Sequence, residues 1–172
     1  MNTGYKYSSY LEILDNANKY LKKTFSNFQK EYGNKPNIHY KDYKAYYMKI
    51  AEKLNSTPEI SKYRELETEG TFNEIFPINV EKDGEEYEDF SVLSNNNLIL
   101  TYFNKLKTNI EKKLLLSYFD CQQELNKIMY VLMFTDLDES DDTEYEVQKK
   151  FEIQFSDIEK KQLFLDSLRK NI

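Results

Sequence analysis

Apolar residues return at three- and four-residue steps along most of this chain. Tyr10, Leu14, Ala17, Leu21, Phe25 and Phe28 form such a series, which predicts a helix over residues 9–31 with one face turned inward. Ser9 and Glu12 have the spacing of a capping box at its start, and Gly33 suits its end. Tyr40, Tyr43, Tyr47, Ile50, Ala51 and Leu54 continue the pattern over 38–54. A third helix follows, with Thr57 as cap, Pro58 in the first turn, and Ile60, Tyr63 and Leu66 as its stripe. Gly70 ends it. Residues 97–116 carry Ile99, Phe103, Leu106, Ile110 and Leu114 on one side. Asp120 and Gln123 suggest a restart into residues 121–134, with Leu125, Ile128, Met129, Leu132 and Met133. That segment is the most apolar in the chain, so it is expected centrally in the core.

Two stretches break the helical period. Residues 71–92, "TFNEIFPINVEKDGEEYEDFSV", alternate at Phe76, Ile78 and Val80. Asp83-Gly84 is a two-residue turn signal, so a β-hairpin is expected over residues 74–92. Its pairing sets Val80 against Tyr87 but also Glu81 against Glu86, and like charges across a ladder are unfavourable. "EVQKKFEIQF" supports two readings. Phe151, Ile153 and Phe155 alternate as in a strand, while Val147, Phe151, Phe155 and Ile158 share a helical face. Ser156 with Glu159 has capping-box spacing and is expected to start the last helix, through Phe164, Leu165 and Leu168.

The expected fold is therefore mostly α: a helical bundle of about six helices with one β-hairpin, forming a single domain over residues 1–172. At 172 residues, the chain is long enough to bury a substantial core. There are 15 Tyr and 11 Phe but no Trp, so aromatic packing is expected to dominate. No apolar run reaches the roughly 18 residues of a membrane span. No signal peptide is visible at the start, and one cysteine permits no internal disulfide. These features lead us to expect a cytoplasmic location, in a cell or in an infected host. None of the 4 Gly or 3 Pro lies beyond Gly84, which argues against Gly-rich phosphate loops.

Charge changes this picture more than composition does. Residues 1–55 hold 10 basic and 5 acidic side chains, and residues 56–92 hold 3 and 11. The balance thus swings from +5 to −8 in a chain whose net charge is −6. Arg64 and Arg169 are the only arginines, so bidentate reading of phosphate or guanine has few donors.

"IAEKLNSTPEISKYRELETEG", residues 50–70, has the outline of a helix-turn-helix. Ile50, Ala51 and Leu54 would belong to the first helix, "STPEISKYREL" to the recognition helix and "NVEKDGEEYEDF" to a wing. Over residues 38–134 the chain resembles winged helix-turn-helix regulators of the multiple-antibiotic-resistance type. The resemblance implies a winged-helix-like arrangement, DNA contacts from Ser61, Lys62 and Arg64, and dimer helices within 97–134. The chain departs from that pattern in a turn one residue short, and in Ser56 where an apolar plug is usual. The recognition helix and wing also hold the −8 block, whereas DNA affinity is dominated by phosphate neutralisation.

Four further features invite chemistry. In "DLDESDDTE", Asp136, Asp138, Ser140 and Asp142 match positions 1, 3, 5 and 7 of a calcium loop. Asp141 replaces the turn glycine and Val147 replaces the bidentate glutamate, so a solvated acidic loop is expected. His39, the only histidine, stands at a helix entrance and suits a surface or capping role. Cys121 has no catalytic partner at recognised spacing and reads as structural. "HYKDYKAYY" interleaves tyrosines with Lys41 and Lys44; Tyr46 falls off the apolar stripe and is expected at the surface, where tyrosine suits protein contacts.

The reading chosen is a non-enzymatic protein-interaction module: a small binding or inhibitory protein, such as a toxin-neutralising protein, a phage-encoded inhibitor or an assembly component. It would present Glu65, Glu67, Glu69, Glu81, Asp83, Glu85, Glu86, Glu88 and Asp89, with Tyr46, to a basic protein partner. Nucleic acid is disfavoured as a partner, no membrane is expected, and homo-oligomerisation is left open. No catalytic residue, metal or cofactor is expected. A winged helix-turn-helix regulator is the alternative, and a carboxylate-dependent enzyme the second alternative.

Overall fold

A computed structural model describes residues 3–32, 39–54, 56–76, 78, 80–87, 93–138 and 142–172. Seven helices and one pair of short strands account for nearly all of them. In chain order these are α1 (Thr3–Tyr32), α2 (Tyr40–Leu54), α3 (Pro58–Thr68), α4 (Thr71–Ile75), β1 (Val80–Lys82), β2 (Glu85–Tyr87), α5 (Asn96–Lys105), α6 (Asn109–Asp138) and α7 (Glu144–Arg169). The fold is a mostly α bundle.

α6 is the central helix, packing against α1, α2 and α7, while α3 packs on α1 and α4. The expected stripes do the burying. Leu14, Ala17, Leu21 and Phe28 of α1 are inside, with Tyr40, Tyr43, Tyr47, Ile50 and Leu54 of α2 and Ile60, Tyr63 and Leu66 of α3. Aromatic rings join the layers. Phe28 meets Tyr43 at 4.7 Å between centroids, Tyr43 meets Phe155 at 4.8 Å, and Phe151 meets Phe155 at 4.5 Å. A second set links α4 to α6 through Phe72 and Tyr118 at 4.5 Å. Tilted pairs at these separations add to the area each ring buries.

Several boundaries differ from the sequence-based expectation. α1 begins at Thr3, so Ser9 and Glu12 lie inside it rather than at its cap. There is no restart near Asp120: α6 runs unbroken through that position, and both Asp120 and Gln123 are buried. The break falls earlier. Leu106 is extended (φ −70°, ψ 137°), and Thr108 opens α6 by accepting the Glu111 N–H at 3.3 Å. Leu114, Leu115 and Leu116 are deeply buried, and of the segment expected at the centre Ile128 is buried but Met129 is 63% exposed, while the side chains of Leu132 and Met133 lie outside those described. Met129 therefore does not belong to the core.

The ambiguous stretch after residue 144 is helix. Val147 and Phe151 are buried and Ile153 is exposed, so the four-residue period overrides the alternation. Thr143 is the true cap, accepting the Glu146 N–H at 3.2 Å. Ser156 lies within α7 and starts nothing.

The 74–92 region is only partly extended. Residues 71–75 form α4 after Gly70, whose φ of 71° is the left-handed conformation that glycine tolerates. Phe76 and Ile78 are buried but not in a strand. The strands pair antiparallel over three residues each, with Val80 opposite Tyr87 and Glu81 opposite Glu86. Asp83 and Gly84 both have positive φ, 56° and 80°, as a two-residue primed turn requires. The packing does not support a winged-helix arrangement: α3 buries its stripe against α1, and its Tyr63 is tied to Gln122 of α6.

Candidate functional site

The acidic residues expected to receive a partner begin on α3. Its stripe of Ile60, Tyr63 and Leu66 points inward, so Lys62, Arg64, Glu65, Glu67 and Glu69 are turned to solvent, while Ser61 is half-buried. Glu67 is held in place. Its Oε1 accepts hydrogen bonds from the Tyr63 hydroxyl at 2.8 Å and from Gln122 Nε2 at 2.6 Å. Burial, followed by the nearby Glu67 charge, pushes the Tyr63 hydroxyl pKa up, so it stays a donor. Thr57 stands at the N-cap of α3, but its hydroxyl donates to the Lys53 carbonyl at 2.8 Å and makes no cap bond.

On the strand pair, Asp83, Glu85 and Glu86 are exposed. The ladder sets Glu81 opposite Glu86 and Lys82 opposite Glu85. Glu88 and Asp89 lie outside the described residues. Tyr46 differs from expectation: it is half-buried, its ring lies 4.7 Å from that of Phe28, and its hydroxyl donates to the Thr24 carbonyl. It ties α2 to α1 instead of standing at the surface.

His39 has a capping geometry. Its Nδ1 accepts the Lys41 N–H at 3.2 Å, and its Nε2 faces the Glu144 carboxylate at 3.0 Å. Cys121 is buried in mid-helix, with its thiol 3.5 Å from the Leu14 carbonyl, and burial pushes the thiol pKa up. That environment disfavours the reactive thiolate. Of the calcium-loop frame, residues 136–138 belong to α6 and Asp142 pairs with Lys150 at 2.8 Å, while Ser140 and Asp141 lie outside the described residues. Among the described residues, no group of three or more His, Cys, Asp or Glu is placed to hold a metal ion.

One polar cluster escaped the sequence reading. The Asp120 carboxylate, almost fully buried, receives the Arg169 guanidinium on one oxygen and Gln162 Nε2 at 3.2 Å on the other. Arg169 also donates to Asp166 at 2.8 Å. Beside it lies a cleft of about 400 Å³, bordered by Asp15, Lys113, Ser117 and Arg169. Ser117 donates to Asp15 at 3.4 Å. The arginine is already committed to two carboxylates. The cluster fastens the end of α7 to α6. A signal for it was present: Leu116, Asp120 and Gln123 fall on one face of a helix, and a carboxylate on an apolar face needs a partner.

Comparison of the chain with protein-family models, curated proteins and solved structures finds no match. Among the described residues, no helix is long and apolar enough to cross a membrane.

Proposed function

We propose that this chain is a non-enzymatic protein-interaction module whose acidic residues on α3 and the strand pair receive a basic protein partner. The observation that carries this reading is the ladder of β1 and β2, where Glu81 faces Glu86 with Asp83 and Glu85 exposed beside them. Like charges directly opposite destabilise a strand pair. A local rule broken in a small exposed element points to use of that element. Glu65 and Glu69 extend the negative potential on α3, and Glu67 supplies a carboxylate already fixed by two hydrogen bonds. Such an arrangement steers a basic partner and speeds encounter more than it tightens the final complex.

The module would act by binding, as an inhibitory or neutralising protein or as a component of an assembly, in the cytoplasm. DNA binding through Ser61, Lys62 and Arg64 has less support. Ser61 is half-buried, and the two cations on α3 stand among Glu59, Glu65, Glu67 and Glu69, which would oppose phosphate.

The test is capture from a lysate of the source organism by the wild-type protein and by a variant with the glutamates at 81, 85, 86 and 88 changed to Lys. A partner retained by the wild type at low salt and lost by the variant is expected. Equal retention by both proteins would reject the acidic surface. Salt-sensitive binding of duplex DNA by the wild type would favour the regulator instead.

A further inference from the structure

We infer that α7 is a self-association surface: a second copy of this chain packs antiparallel along its outer face, about a twofold axis near Gln154. Among the described residues, six large apolar side chains are markedly exposed, and Tyr145, Ile153 and Leu163 on α7 are three of them, at 70%, 58% and 70%. They are not scattered around the helix. At 3.6 residues per turn they fall within roughly 80° of arc. That arc is opposite Val147, Phe151, Ile158 and Leu165, which face the core. α7 therefore carries large apolar side chains on two sides, and among the described residues those of the outer arc stay exposed.

The polar residues of the outer arc select the occupant. Lys149, Glu152, Glu159 and Lys160 balance to zero charge in a chain of net −6. A strongly basic or acidic partner would find no complementary field there, whereas a second copy would find no net repulsion. Their order along the helix is also self-complementary. An antiparallel twofold near Gln154 sets Tyr145 against Leu163 of the other copy, nine positions to either side of the axis. It sets Lys149 against Glu159, five positions to either side, and Ile153 beside its counterpart. The Tyr145–Leu163 and Lys149–Glu159 contacts each occur twice and the Ile153 pair once, at the axis, as an isologous interface demands. The apolar positions span about 27 Å of helix. One helix stripe per copy lies at the small end of specific interfaces, so the dimer is expected to be weak and concentration-dependent.

This surface shares no residue with the acidic face on α3 and the strand pair, so either can fail without the other. Sedimentation velocity over a concentration series is the experiment, with helicity checked by circular dichroism. The wild-type chain is expected to shift from monomer towards dimer as concentration rises, and Leu163→Lys to remain monomeric. Lys149→Glu and Glu159→Lys should each raise the dissociation constant by tenfold or more, since each places two like-charged pairs across the axis. The double variant should return to near the wild-type constant, because the pairs are re-formed with their signs exchanged. A wild-type chain that stays monomeric at its highest soluble concentration overturns the inference. So does a dimer indifferent to Leu163→Lys, or one that the double variant fails to restore.

Discussion

Arg169 is one of two arginines in the chain, and its two hydrogen-bonded carboxylates explain why lysine would not serve there. It spans Asp120 and Asp166, a geometry suited to a planar fork. Asp120 is the vulnerable partner because only 6% of it is exposed. Arg169→Ala leaves that carboxylate with the Gln162 amide alone. Arg169 itself remains partly in solvent, so the loss should be about 1–3 kcal/mol rather than the full penalty of a buried pair. Urea denaturation of the single and double variants with Asp120→Asn measures it, and the double variant should recover part of the loss. A change within about 0.5 kcal/mol would mean that solvent screens the pair. Tyr43 gives a pH-dependent counterpart. Burial, with Glu159 nearby, pushes its hydroxyl from 10.0 up to about 12. The folded state therefore holds this proton more tightly than the unfolded chain does. The resulting stability is fully present below pH 10 and is lost as pH rises towards 12. Tyr43→Phe should flatten that decline in the urea midpoint; an unchanged slope would assign the loss to other groups. At this scale the sequence was informative where burial follows a stripe, as for Tyr43. It misled for Tyr46, because position on one helical wheel does not reveal that α1 covers a second side of α2.

Element identity was legible for the same reason and element boundaries were not. Stripes at three- and four-residue spacing correctly located α2 and α3 and most of the core of α1, since burial of one face is what makes those helices stable. Capping boxes were less reliable, as the S/T-x-x-E pattern occurs inside helices as well as at their starts. Ser9 and Ser156 match it and cap nothing, while Thr108 and Thr143 match it and do cap. Thr108 also donates to the Glu111 carboxylate at 2.5 Å. What separates the two groups is the preceding residues: Leu106 is already extended, so Thr108 meets free N–H groups. Thr108→Ala should therefore cost about 1 kcal/mol, whereas Ser156→Ala should change stability by less than about 0.5 kcal/mol. Thermal unfolding of the two variants checks the contrast, and equal losses would contradict the boundaries described for α6 and α7. The strand pair was harder to read because its neighbour α4 is a single helical turn, held by Thr71 and Phe72 in the core. Tertiary contact decides such a short segment, and no local period can announce it.

Across the whole molecule, the uneven charge is the feature that sequence conveyed best, and the structure adds which carboxylates reach solvent. Six of the described candidates, Glu65, Glu67, Glu69, Asp83, Glu85 and Glu86, are exposed. If they serve encounter with a basic partner, the two phases of binding must respond differently. Rim charges act over distances comparable with the Debye length, about 8 Å at physiological salt. Raising the salt, or changing Glu81 to Lys, should then slow association severalfold while dissociation changes little. That substitution should not weaken the folded chain. Glu81→Lys replaces a like-charge pair with an opposite one against Glu86, which should stabilise the ladder by about 0.2–1 kcal/mol. Stopped-flow association with a captured partner, set beside thermal unfolding of the free variant, separates the two effects. A variant that is more stable yet slower to bind fits an acidic face retained for recognition. A variant that binds at the wild-type rate over the whole salt range would leave the acidic block as a solvated surface and send the search for a partner elsewhere on the bundle.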